Sequence, residues 1–190
     1  MKGDLPCSVF RLSDDMDIRF ITDRNLGTLA KWLRILGYDT LYERGNADSD
    51  FLRKAAEEGR VALTRKRDLA RPSHPGRLVV VKADKTPDQL AEVLEALTIT
   101  MSPMKAMTLC LRCNVPLDEI QKETAEGLVP AYVYQKYKQF RRCPRCRRIF
   151  WPGTHREHIE ECLKKRLPYR APSFCREIAR RTQPPTKQGR

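Results

Sequence analysis

The chain has 190 residues and a net charge of +13, enough for one ordinary domain and a small one. No stretch reaches the roughly 20 apolar residues of a membrane span, and the first residues, MKGDLPCSVF, lack an apolar run of signal-peptide length. A membrane partner is therefore excluded and a cytoplasmic location is expected. The charge is one-sided: residues 1–95 carry 17 Lys/Arg against 16 Asp/Glu, and residues 96–190 carry 20 against 8. A basic field confined to one half suits a polyphosphate partner.

The elements follow in chain order. Ile18–Asp23 reads as a buried strand. Leu26, Leu29, Ala30, Leu33 and Leu36 then recur at helical spacing, and Gly37 is a natural stop. On that helix Arg34 is expected to be solvated, with the sheet edge as its alternative reach. Tyr38–Tyr42 is a second strand. Ser49 is placed to cap a helix over Asp50–Glu58 that ends at Gly59, with Asp48 as a turn or cap residue. Val61–Thr64 and Leu78–Val81 are the third and fourth strands. Thr86-Pro87-Asp88-Gln89 predicts a helix to Leu97, with Thr86 as cap, Pro87 at the first helical position and Gln89 closing a capping box. No internal repeat is visible. Alternating strands and helices imply an α/β fold with a mostly parallel sheet. In such sheets the site lies beyond the carboxyl ends of the strands.

Three acids converge on that edge. Asp23 ends the first strand, Asp50 opens the second helix, and Asp68 follows the third strand in Thr64-Arg65-Lys66-Arg67-Asp68. Asp23 alone could equally be a helix cap. Three like charges on one edge are tolerated when they hold a divalent cation, and oxygen ligands suit Mg²⁺ or Mn²⁺.

The ordered stretches RFITDRNLGTLAKWLRILGYDT, SDFLRKAAEEGRVALTR, CLRCNVPL and CPRCRRIFWPGTH resemble the Mut-seven C-terminal RNase domain family. The resemblance implies a PIN-like nuclease domain over residues 18–100 and a zinc ribbon over 110–162. A linker (101–109) joins them. An N-terminal extension (1–17) and a basic, partly mobile tail (163–190) flank them. It implies metal-dependent hydrolysis of RNA, ribosomal or transfer RNA among the targets. By position, Asp23 matches the first acid of the site and Asp50 the second. Where relatives carry an aspartate after the third strand this chain has Lys66, so Asp68 stands in or catalysis is weakened. Thr64 and Arg65 match the family and are placed to contact phosphate.

Seven cysteines, an odd number, argue for metal rather than disulfides. Cys110-x₂-Cys113 and Cys143-x₂-Cys146 can supply four thiolates to one structural Zn²⁺. Cys143, Cys146, His158 and Cys162 form a competing finger; the family resemblance favours the four-cysteine set. Tyr132, Tyr134, Tyr137, Phe140, Phe150 and Trp151 interleave with basic residues, among them Arg141, Arg142, Arg145, Arg147 and Arg148. Cations can neutralise phosphates while rings stack on unpaired bases, or the rings can fill a small core. Both uses are expected. Three function classes follow: a ribonuclease, a catalytically weak RNA- or ribosome-binding protein, and a zinc-ribbon adaptor for protein partners.

Overall fold

The computed structural model describes residues 18–69, 76–99, 106–153 and 161. The N-terminal extension, His155, His158, Cys162 and the tail lie outside the described residues, and the competing finger with them.

Strand β1 (Phe20–Thr22), helix α1 (Gly27–Ile35), β2 (Thr40–Tyr42), α2 (Ser49–Glu57), β3 (Val61–Thr64), β4 (Leu78–Val80) and α3 (Thr86–Ala96) alternate along the chain. The four strands are parallel, in the order β2-β1-β3-β4. Central strands covered on both faces must be apolar throughout, and every residue of β1 and β3 is buried. The period of two sends their side chains into two cores. Phe20 and Leu63 join Leu29 and Leu33 of α1 and Leu90 and Leu94 of α3, while Ile21 and Ala62 join Phe51, Leu52 and Ala55 of α2.

The helix ends are closed by matching geometry. After α1, Tyr38 N–H donates to the Leu33 carbonyl (3.0 Å) and Gly37 N–H to that of Arg34 (3.0 Å), with Gly37 at φ 89°. This is a Schellman motif. Arg60 and Gly59 repeat it after α2, and Ile99 and Thr98 after α3, where a threonine takes the left-handed position.

Two helix starts differ from expectation. Asp48, not Ser49, caps α2, its Oδ1 accepting from Phe51 N–H at 2.9 Å; Ser49 is already helical. For α3 the cap position is Lys85, and no side chain bonds the helix start there. The capping box does not form because Gln89 is buried and turned away. Its Nε2 donates to the Ala83 and Asp84 carbonyls.

Further along are β5 (Asp118–Ile120), α4 (Ala131–Lys136), β6 (Phe140–Arg142) and β7 (Ile149–Phe150). The three strands form an antiparallel sheet in the order β5-β6-β7. Its core is Ala125, Val129, Val133 and Phe140, with Tyr134, Tyr137 and Trp151 packed against it. Tyr134 stacks on Phe140. Most of the rings thus lie inside, whereas Tyr132 is 69% exposed.

Candidate functional site

Two loops of identical construction bring the cysteines together. In the first, Cys113 N–H donates to Cys110 Sγ (3.3 Å), Asn114 N–H to the Cys110 carbonyl, and Cys110 N–H to the Val115 carbonyl. In the second, Cys146 N–H donates to Cys143 Sγ (3.3 Å), Arg147 N–H to the Cys143 carbonyl, and Cys143 N–H to the Arg148 carbonyl. Asn114 and Arg147 both sit in the left-handed region, at φ 55° and 63°. The shared turn extends the Cys-x₂-Cys repeat seen in the sequence to the left-handed residue that follows each pair.

The four sulfur atoms lie within 4.8 Å of one another, with Cys110 and Cys146 Sγ 3.7 Å apart. A tetrahedral zinc with bonds of about 2.3 Å has sulfur–sulfur edges of about 3.8 Å. The donor set therefore fits, and the cluster could hold a metal ion such as zinc. Without the ion the thiols differ. The Arg148 N–H pulls Cys146 down to about 7. Burial pushes Cys110 up, and burial and the neighbouring thiols push Cys113 up to about 12. A cluster that resists complete ionisation by itself is one that a cation completes.

The first cysteine loop is docked on the parallel sheet. Arg34 is buried, not solvated. Its Nε and Nη2 donate to the Thr40 carbonyl (2.9 and 2.7 Å), and its Nη1 to the Leu111 carbonyl (2.7 Å). Asn114 accepts from Thr40 N–H (3.0 Å) and donates to Asp39, which also forms an ion pair with Arg60 at 2.8 Å. Burial lowers the Arg34 pKa, while the Cys110, Asp39 and Cys113 charges favour the cation. The hint in the sequence is an arginine enclosed by Leu33, Ile35 and Leu36.

At the carboxyl edge of the sheet, Asp23 is 1% exposed. Its Oδ1 accepts from Asn25 N–H (2.8 Å), capping a single 3₁₀ turn, Arg24–Leu26, ahead of α1. Its Oδ2 accepts from the Thr64 hydroxyl (2.6 Å), and that hydroxyl accepts from Lys66 N–H (3.0 Å). Asp50 lies outward, its side chain 79% exposed and paired with Arg53. Asp68, 62% exposed, lies 3.5 Å from Lys66 Nζ, which also reaches the Ala47 carbonyl. Among the described residues the cysteines alone form a metal-sized group of three or more ligands. Asp23, Asp50 and Asp68 thus share an edge of the fold without meeting as a three-acid cluster.

The cationic residues divide in the same way. Arg65 pairs with Asp84, and Arg141 with Glu119 and the Met107 carbonyl. Arg142 is half-buried, its Nε without a partner. Arg145, Arg147 and Arg148 are exposed around the second cysteine loop.

A two-sided parallel α/β sheet bearing a docked pair of cysteine loops that could hold a metal ion defines the class of protein. The chain belongs to the Mut7-C RNAse domain family, whose model matches residues 18–163. No curated protein and no solved structure compared with the chain matches it. Membership implies a nuclease-like function, with RNA as substrate or partner. Among the described residues no helix is long and apolar enough to cross a membrane.

Proposed function

We propose that the chain is a PIN-like ribonuclease that hydrolyses RNA phosphodiester bonds at the carboxyl edge of its parallel sheet. The observation that carries this reading is Asp23. A cap needs one accepted hydrogen bond and tolerates water. This carboxylate is sealed from water and held by donors from two segments, so its position is set before substrate arrives. In this reading Asp23 is the fixed acid, and Asp50 and Asp68 are the adjustable ones. Their present partners are exposed ion pairs worth about 0–1 kcal/mol, so a divalent ion can compete for them. Mg²⁺ uses one or two carboxylates together with substrate phosphates, which suits a single fixed acid better than a closed cage would. Mg²⁺ or Mn²⁺ would supply an activated water and charge for the leaving oxygen. Residues 110–162, closed by zinc on Cys110, Cys113, Cys143 and Cys146, would hold the RNA through Arg145, Arg147 and Arg148, the target being ribosomal or transfer RNA in a cytoplasmic setting.

A second reading is an RNA-binding protein on the same fold with weak catalysis. Lys66 favours it, because its ammonium already sits beside Asp68 and the Ala47 carbonyl near the start of α2. One experiment separates the two: single-stranded RNA incubated with wild type, Asp23→Asn and Lys66→Asp, with and without Mn²⁺. Mn²⁺-dependent cleavage by wild type that is lost in Asp23→Asn supports the ribonuclease. Binding without cleavage in wild type, with cleavage gained in Lys66→Asp, selects the second reading. Cleavage unchanged in Asp23→Asn overturns the site.

A further inference from the structure

An open cleft of about 340 Å³ lies between α1 and the end of β2, lined by Arg24, Asn25, Gly27, Lys31 and Tyr42, with Arg34 at its inner side. We propose that this cleft holds one nucleotide unit of single-stranded RNA, its base stacked on Tyr42 and its flanking phosphates on Arg24 and Lys31. The inference rests on the RNA reading above and extends it to a place outside the acid edge.

Four observations carry it. First, Tyr42 is a large ring left 36% exposed at the end of an edge strand, held in place by its hydroxyl, which donates to the Arg24 carbonyl (3.4 Å). Second, the ring is seated against the helix by a glycine. A Cβ on Gly27 would stand 3.2 Å from the ring carbon Cε2 and 3.4 Å from the hydroxyl, so the glycine lets the phenol end of the ring lie close to α1. Third, Arg24 and Lys31 are exposed and make no ion pair among the described residues, unlike Arg53, Arg60, Arg65 and Arg141. They rise from the α1 side as Arg24, Thr28 and Lys31, spaced one turn apart, opposite the apolar stripe Leu26, Leu29 and Leu33. Fourth, the cleft adjoins the fixed acid. Tyr42 is the register partner of Thr22, the residue before Asp23, and the N–H of Asn25 binds Asp23 Oδ1. The cleft and Asp23 are thus joined by adjacent backbone of β1 and the turn before α1. An aromatic platform flanked by unpaired cations is the construction that grips single strands without reading their sequence.

The test is the affinity of the zinc-loaded full chain for a short labelled oligouridine and for its abasic sugar-phosphate counterpart, read by fluorescence anisotropy with no Mg²⁺ or Mn²⁺ added. Tyr42→Leu keeps an apolar contact with Gly27 and removes the aromatic face. It should weaken oligouridine about tenfold and leave the abasic strand unchanged. Lys31→Ala should weaken both and lower the salt slope by about one. An unchanged melting temperature shows that each variant is folded. If wild type binds oligouridine and Tyr42→Leu binds it equally well, the cleft is not the site while the RNA reading stands. If wild type binds neither strand, the cleft proposal fails, and the RNA reading fails with it when transfer RNA is not bound either.

Discussion

At the scale of single residues, Asp23 shows how one carboxylate can serve two purposes. It caps the turn before α1 and is also tied to β3 through Thr64. The two bonds make different demands on a substitution. Asparagine retains an oxygen for Asn25 N–H but presents an NH2 donor where the Thr64 hydroxyl needs an acceptor. Asp23→Asn keeps the turn cap and loses that one bond, so it should cost about 1–2 kcal/mol. Alanine leaves Asn25 N–H and a buried hydroxyl unsatisfied, so Asp23→Ala should cost about 2–4 kcal/mol. Urea unfolding of the two variants beside wild type checks this. Equal losses in both would show that the negative charge itself holds the turn.

Helices show where local reading slips by one residue. Ser49 and Asp48 are both good caps by type, and their adjacency makes the choice ambiguous in the letters. The chain resolves it because Asp48 has the extended backbone a cap requires (φ −142°, ψ −168°) and its carboxylate reaches Phe51 N–H. Asp48→Ala should then cost about 1 kcal/mol, and Ser49→Ala should be nearly neutral. Thermal unfolding of the two variants distinguishes them, and the reverse order would restore Ser49 as the cap. At α3 the sequence carries every mark of a capping box, yet the buried Gln89 amide closes the preceding loop instead. A glutamine that can satisfy two loop carbonyls in the interior has no amide left for a helix end.

At the scale of the whole molecule, the cysteine loops and the parallel sheet are coupled. Arg34, Asp39, Thr40, Asn114 and Arg60 form a continuous polar junction. Met107 N–H adds a bond to the Ile35 carbonyl, and Met107 and Leu111 pack on the main core. Because binding to the folded state stabilises whatever is coupled to the site, removing zinc should lower the melting temperature of the parallel-sheet unit too. In Trp151→Phe the remaining tryptophan, Trp32, belongs to α1, so its fluorescence reports that unit during chelation. A Trp32 transition that is blind to zinc would show the two parts to be independent. The junction also sets an acid limit. Burial alone would raise the Asp39 pKa, but hydrogen bonds from Arg60 and Asn114 outweigh it and hold the carboxyl below its ordinary value. Its contribution is therefore present above the unfolded value of about 4 and lost as pH falls through the lower folded value. Asp39→Asn should flatten that acid limb of the melting-temperature profile, compared with wild type, both proteins being free of zinc so that acid release of the metal does not enter.

The sequence by itself determined the strands and helices of the parallel-sheet unit and the cysteines that could hold a metal ion. Strand runs such as Phe20–Thr22 and Val61–Thr64 are apolar because both faces of the sheet are covered. The helical spacing of Leu26, Leu29 and Leu33 marks a buried face, and two C-x-x-C pairs carry their ligand set in the spacing. These signals are local, set by periods of two and 3.6 residues and by loop geometry within a few positions. Tertiary structure alone decided which polar groups meet. It buried Arg34 under a loop 77 residues away, linked Thr64 to Asp23 across 41 positions, and turned Asp50 and Asp68 outward to their own partners. It also left Tyr42 partly exposed beside Gly27. Those outcomes depend on where neighbouring strands and loops leave a carbonyl or hydroxyl unsatisfied. No periodicity records this, because the partner is chosen by the folded surface rather than by distance along the chain.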